Sequence, residues 1–461
     1  MSKKAWEGRF KEKNDPLFEK MNRSLDFDIR LFKEDILLNK VYSKELKRIG
    51  IISEEELELI INGLDKIEKE IEEKGISLFT SDIEDIHMGI EDLLSKRIGD
   101  IAKKMHTGKS RNDQVATDVR LYLLKEINNI KAILKDFISC FIDIAENNIV
   151  VPMPGYTHLR QAQPVLFSHY LMSFVWPFLR DYQRLSDSVK RVSIMPLGSA
   201  ALAGSAFPLD RENLRKDLGF LDISQNSMDA VSSRDFILEF LSIISLLCIN
   251  LSRYAEDFIL YSSEHFNFFE LSDKVTTGSS IMPNKKNPDS LELTRGKSGR
   301  IVGSLMSLLT VTKSLPSTYN KDLQEDKEPL FDAIDTIKDL LNVNIILLKN
   351  LKINKENMLK SIDSFSFATE LADFLALKGV PFREAHHITG KIVSDCIESK
   401  KRLTDLKKED LISYCEKFKD LDDNWHSIEK ILQKREIKGG TGINSVKEQI
   451  KMAKSILKDL C

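Results

Sequence analysis

Proline and glycine are scarce, at 12 and 20 of 461 residues, against the usual ~5% and ~7%. That deficit excludes a turn-rich β architecture and favours long uninterrupted helices. Cysteine is also sparse, and odd in number at 5. Cys140, Cys248, Cys396, Cys415 and Cys461 are scattered, with no CxxC or Cys/His zinc spacing. Neither a disulfide framework nor a zinc site is therefore expected, and reduced thiols fit a cytoplasmic protein. An excess of charge of one sign is missing too: 68 basic against 71 acidic residues leave a net −3, which argues against nucleic acid as a partner. The opening MSKKAWEGRFKEK has no apolar h-region, so no secretory signal is expected. The most apolar stretch, Phe236 to Leu251, is too short for a membrane span and carries Glu239 and Asn250. It reads as a buried helix, with no membrane partner. No GxGxxG follows a strand, and TGKS at Thr107 fails as a phosphate loop because Lys103 stands where the upstream glycine belongs.

What is present is helical periodicity. Leu57, Ile60, Ile61, Leu64, Ile67 and Ile71 line one face of a helix over Ile52 to Gly75. Ser81 with Glu84 predicts a capping box opening the next helix, through His87 and Leu93. From Ser110 a long helix carries apolar residues from Val115 to Ile144. Further long helices are predicted over Pro164 to Val192 (kinked at Pro177), Ser227 to Phe266, Pro288 to Lys313 and Asp322 to Asn350. The expected fold is all-α: a central long-helix bundle over 108–353, between smaller helical domains at 1–107 and 354–461. Helices this long and broadly apolar also predict burial between subunits.

Three polar, glycine-containing stretches interrupt the helices: Met105–Gln114, Pro152–Pro164 and Thr276–Pro288. In the last, Thr276 to Ser280 form a small hydroxyl-rich loop able to close over a ligand. Asn287 is a good N-cap and Pro288 a good first helical residue. Lys285 and Lys286 add positive charge at that helix start, so the stretch suits a carboxylate with a serine beside it. Thr157 and His158 lie between Pro/Gly breaks, and Ser110 to Gln114 gather five polar side chains at a helix start. Each stretch alone also fits an ordinary loop or cap. His87 and Glu91 share a helix face, but two ligands without a third are weak grounds for a metal. His386 and His387 point to different faces, which fits a surface role.

Taken jointly, GSSIMPNKKNPD, PGYTHLRQAQP and MHTGKSRNDQ resemble the fumarase/aspartase superfamily. HTGKSRNDQ with STYNKDLQEDKE resembles, within it, the argininosuccinate lyase family. KAWEGRF, EKMNRSLDFD, EDIHMGIEDLL, PLGSAALAG, NSMDAVSSRDF and GGTGINSVKEQI extend the likeness nearly end to end. The resemblance implies a homotetramer with sites shared between subunits, no cofactor and no metal, and argininosuccinate, arginine and fumarate as ligands. It implies Ser279 as base, His158 as acid-side partner oriented by Glu292, and Lys285 supporting the carbanion. The reverse acid–base assignment is the alternative. Ser24, Arg111, Asn112, Thr157, Asn287, Tyr319, Gln324 and Lys327 match substrate-binding positions. Two residues depart from the family pattern: Asn284 replaces the usual glutamine of the loop, and Arg160 the glutamine after THL. Sister fumarate-releasing lyases, a silent δ-crystallin-like protein and a plain helical scaffold are the competing readings.

Overall fold

The computed structural model describes residues 12–459; the KAWEGRF motif and Cys461 lie outside them. The main elements, in chain order, are α1 (Phe32–Arg48), α2 (Glu54–Lys74), α3 (Ile86–Ile98), α4 (Arg111–Asn147), β1 (Pro152–Thr157), β2 (Arg160–Leu166), α5 (Phe167–Val192), α6 (Asp235–Ser262), β3 (Thr277–Gly278), β4 (Lys286–Asn287), α7 (Asp289–Thr312) and α8 (Lys327–Lys349). The fold is all-α, with only short two-stranded pairings among the described residues.

Two compact units emerge. The first uses the chain up to Lys131, then Gln183–Ser245 and Gly299–Ile337; the second uses Ala132–Tyr182, Leu246–Ser298 and the chain from Lys338.

In the first unit, α2 buries Leu57, Ile60, Leu64, Ile67 and Ile71 of the face read from periodicity, while Ile61, at its edge, is only half-buried. Ser53 Oγ accepts from Glu56 N–H at 3.2 Å, while Ser53 N–H donates to Glu56 Oε2 at 3.0 Å. Ser53→Ala removes one acceptor of this capping box and should lower stability by about 1 kcal/mol, read as a lower urea midpoint at unchanged slope. Gly63 marks the close approach of α2 to α3, since a Cβ there would meet Leu94 Cδ1 at 2.5 Å.

The second unit is built on aromatics. Phe137 and Phe141 on α4, Phe174 and Phe178 on α5, and Tyr254 and Phe258 on α6 meet mostly edge to face. Tyr254 and Phe258 have centroids 4.5 Å apart. Such pairs add about 0.5–1.5 kcal/mol each beyond area burial. The segment from Phe367 to Ile431 packs a cluster of its own around Leu371, Ile392, Leu411 and Phe418.

Helix α6 is long and apolar enough to cross a membrane by composition alone, but 56% of its apolar window is buried within the protein. Phe240, Leu241, Ile244, Leu247 and Leu251 are fully buried, as a core helix requires.

Several local expectations are corrected. Helix α3 is capped by Asp85, whose Oδ1 accepts from Met88 N–H at 2.7 Å, and not by Ser81 with Glu84; aspartate one residue before the helix reaches the free N–H groups directly. The helix expected over Ser227 to Phe266 breaks after Ser232, where Ser233 turns extended. Helix α8 starts at Lys327, after a 3-10 turn over Lys321–Asp326. Pro288 accepts the first helical bond of α7, from Glu292 N–H at 3.1 Å, so Asn287 belongs to β4 and is not the cap.

The Pro152–Pro164 stretch is a β-hairpin. Tyr156 pairs with Gln161 and Thr157 with Arg160, leaving His158–Leu159 as a two-residue turn. Both turn residues are left-handed, at φ 55° and 56°, the conformation that matches strand twist in tight hairpins. The ladder shifts at Gly155, where a Cβ would lie 2.5 Å from Gln163 O, so only glycine fits.

Candidate active site

The first unit gathers one group of candidates around Glu84–Asp85. Ser24 and Leu25 N–H donate to Glu84 O at 2.9 and 3.1 Å. Ser24 Oγ donates to Asp28 Oδ2 at 2.6 Å, and Ile86 N–H donates to Asp28 Oδ1 at 3.0 Å. Burial, reinforced by the Asp85 charge, pushes the Asp28 carboxyl up to about 6. Gln324 Nε2 donates to Asn22 O at 3.3 Å, beside Ser24. The Tyr319 phenol is pushed up to about 12, mainly by burial, with the Asp326, Asp85 and Glu84 charges adding to it and Arg234 opposing.

Arg111 opens α4 with its Nε 3.4 Å from Asp85 Oδ2 and its Nη2 3.8 Å from Glu91 Oε2. Glu91 also pairs with His106 Nδ1 at 2.9 Å. Burial works to raise its pKa, yet the His106 hydrogen bond and the Arg111 charge hold it at about 2. Arg111 is thus aimed by two carboxylates, which suits a guanidinium that must keep a fixed fork for an anion. Asn112 Nδ2 donates to Ala201 O at 3.3 Å.

Asp113 ties this helix start to the loop of PLGSAALAG. Its carboxylate accepts from Ser110 N–H at 2.9 Å, Gly198 N–H at 3.0 Å and Ala200 N–H at 2.8 Å, and is fully buried. Asp113→Ala orphans these donors and should cost on the order of 3 kcal/mol, with a rise in substrate KM as Arg111 and Asn112 lose their base. Differential scanning calorimetry with steady-state kinetics checks both.

The second unit holds the remaining candidates on two hairpins. Thr157 and His158 sit exposed at the β1–β2 tip. Ser279 follows β3, and β3 pairs with β4. Ser279 Oγ accepts from Ile281 N–H at 3.3 Å and Met282 N–H at 3.1 Å. Two backbone donors on one hydroxyl oxygen stabilise negative charge there, as a serine base needs. Asp289 Oδ2 accepts from Thr277 N–H at 3.1 Å and from its hydroxyl, closing the base of the hairpin.

The two adjacent lysines differ. Lys286 Nζ lies 2.7 Å from Asp273 Oδ1, whereas Lys285 is exposed and has no ion-pair partner among the described residues. Lys285 is thus the cation left available to an anionic ligand. Glu292 is exposed on the first turn of α7. Among the described residues, no hydrogen bond or ion pair joins His158 to Glu292 or to Ser279.

His87 and Glu91 do not act as a pair. His87 Nδ1 bonds Asp35 at 2.8 Å and lies 3.4 Å from Asp118 Oδ2. Asp35, His87 and Asp118 are buried together. Asp35 also accepts from Asn39 at 2.9 Å and from Gln114, and the Lys109 and Arg111 charges reach it. The cluster thus reads as an ion and hydrogen-bond network. His386 and His387 are both exposed. Sequence reasoning missed Asp85, Asp326 and Arg234, and it named Glu91 and Asp113 without their roles in holding Arg111 and the start of α4; their only signal was position, next to predicted binding residues or inside matched motifs.

A serine-bearing hairpin thus stands ahead of a long helix, and comparison with known proteins gives the class: the chain is a member of a lyase family. The family described as Lyase matches residues 8–303, and the one described as Argininosuccinate lyase C-terminal matches residues 365–433. The argininosuccinate lyase of Acetivibrio thermocellus is 48% identical over 97% of this chain and 98% of its own. That of Heliobacterium mobile is 48% identical over 99% of this chain and 100% of its own. Among solved structures, an EDDS lyase variant with bound fumarate superposes with a TM-score of 0.84 at 25% identity, over 98% of this chain and 91% of that one. The class II fumarase of Schistosoma mansoni, at 17% identity and a TM-score of 0.75 over 90% and 93% of the two chains, shares the fold. The chain belongs to the argininosuccinate lyase family of the fumarase/aspartase superfamily.

Proposed function

We infer that the chain is a carbon–nitrogen lyase that reversibly eliminates fumarate from argininosuccinate, releasing arginine, and so serves arginine biosynthesis. The observation that carries this reading is the 48% identity to an argininosuccinate lyase across nearly the whole length of both chains. In the reaction a base removes a proton from the carbon next to a carboxylate. The electron pair spreads onto that carboxylate, and the C–N bond then breaks as the leaving guanidino nitrogen gains a proton. Ser279 is the base, poised by the Ile281 and Met282 N–H groups. Lys285, Asn287 and the start of α7 meet the carboxylate charge. His158, oriented by Glu292, is the acid-side partner. Ser24, Arg111, Asn112, Thr157, Tyr319, Gln324 and Lys327 hold the carboxylates and the amino-acid end.

The active form is a cytoplasmic homotetramer whose sites draw on several subunits. Its support is an apolar face left open along α7: Val302, Met306 and Leu309, which share one side of the helix, are 36%, 57% and 42% exposed. A face this apolar on one chain needs a partner surface. We propose domains at 1–107, 108–353 and 354–461, the last supported by its own core.

The test is ultraviolet detection of fumarate on adding argininosuccinate, with adenylosuccinate and aspartate as rival substrates. Fumarate release from either rival but not from argininosuccinate overturns the assignment. Activity should survive exhaustive chelation, since Lys285 and backbone donors already answer the charge; loss restored by a divalent ion refutes that part.

A further inference from the structure

The NSMDAVSSRDF motif is not used by the proposed chemistry, yet the break in the chain after Ser232 turns its Arg234 inward. The Arg234 side chain is 2% exposed and ion-pairs with Asp326, which is 0% exposed. Arg234 also donates to Ser233 O at 2.9 Å, so its guanidinium is anchored on both backbone and carboxylate. The other oxygen of Asp326 accepts from Lys327 Nζ at 2.9 Å, and the Lys327 side chain is 5% exposed.

This contact is unusual on two counts. Neighbouring residues on a helix point to different faces. Here Asp326 ends the 3-10 turn and Lys327 begins α8, so the change of helix type lets the lysine fold back. A cation at a helix N-terminus is also opposed by the helix dipole, and a buried one more so. Asp326 supplies the only countercharge in ion-pair range of Arg234 and Lys327 among the described residues. At ion-pair range two buried cations thus share one carboxylate, which favours an anionic group of the ligand.

We propose that Asp326, held by Arg234, is a positioning residue that aims the Lys327 ammonium at a substrate carboxylate. This rests on the reading of Lys327 as a substrate-binding residue.

A double-mutant cycle in the intact enzyme tests it, with argininosuccinate KM and kcat measured for Asp326→Asn, Lys327→Gln and the pair. Asp326→Asn should raise KM about tenfold or more with kcat changed under about threefold, because the lost contact is with bound substrate. In the Lys327→Gln background the same change should add less than about twofold, since it acts through an ammonium already gone. A purely structural aspartate would instead multiply its full effect onto either background, and that result, or an unchanged or lower KM for Asp326→Asn, overturns the inference. A normal KM for Lys327→Gln overturns the reading of Lys327 itself, and the inference with it. If Asp326→Asn does not fold, Arg234→Lys replaces it in the same cycle. That variant keeps the charge but loses the guanidinium fork, and the same vanishing of its KM effect in the Lys327→Gln background is required.

Discussion

Ser279→Ala should lower kcat by at least about 10²–10⁴-fold, the usual loss with a general base, while fumarate and arginine still bind. The geometry behind this is local. A free serine hydroxyl is a poor base, and here two backbone N–H groups, from Ile281 and Met282, converge on its oxygen. Their dipoles favour the charged form of that oxygen. The β3–β4 pairing and the Asp289 bonds to Thr277 hold the base of the hairpin independently of the side chain at 279. Truncation should therefore remove the reacting group and leave the hairpin standing. The measurement is single-turnover kinetics with equilibrium binding of fumarate. A kcat within about tenfold of the parent assigns the base elsewhere, with His158 the next to test. Loss of fumarate binding as well as turnover points instead to a collapsed hairpin.

The helical fold was legible because it rests on repetition. Few prolines or glycines interrupt the chain, and periodic apolar residues name the buried faces, as five of the six residues read on α2 show; Ile61 alone is only half-buried. Turns depend on single residues and were harder to read. A tight hairpin turn is ordinarily announced by Asn-Gly or Asp-Gly, and His158–Leu159 carries no such mark. The strand pairing around it, with two prolines in register at Pro154 and Pro164, looked like a loop. The candidate site was legible only in part, for a related reason. Side chains that touch a ligand, such as Arg111 and Ser279, sit in distinctive polar stretches. Those that hold them do not: Asp113 bonds to Gly198 and Ala200, 85 and 87 residues away in sequence. Arg234 meets Asp326 across 92 residues. No local pattern can announce a partner at that distance.

Mixing two dead variants, Ser279→Ala and His158→Asn, should restore about a quarter of full activity once their subunits are exchanged. The single chain exposes what chemistry needs covered. Thr157, His158, Lys285 and Glu292 are all at the surface, and Leu159 and Ile281 beside them are 74% and 82% exposed. Fixed donors act strongly only where water is excluded, so the proposed shared site calls for a second surface over these hairpins. The open apolar face of α7 gives a place for other copies to dock. If His158 and Ser279 of one site come from different chains, a site can take its serine from the His158→Asn parent and its histidine from the Ser279→Ala parent. At equal mixing that is ½ × ½, about a quarter of sites in a randomly assembled symmetric oligomer. If both residues come from one chain, every site carries one defect and nothing returns. The variants are denatured mildly together, refolded and checked for hybrids by native mass spectrometry, with each variant treated alone as control. Verified hybrids that remain inactive would sink the shared site and put His158 and Ser279 of each site on the same chain.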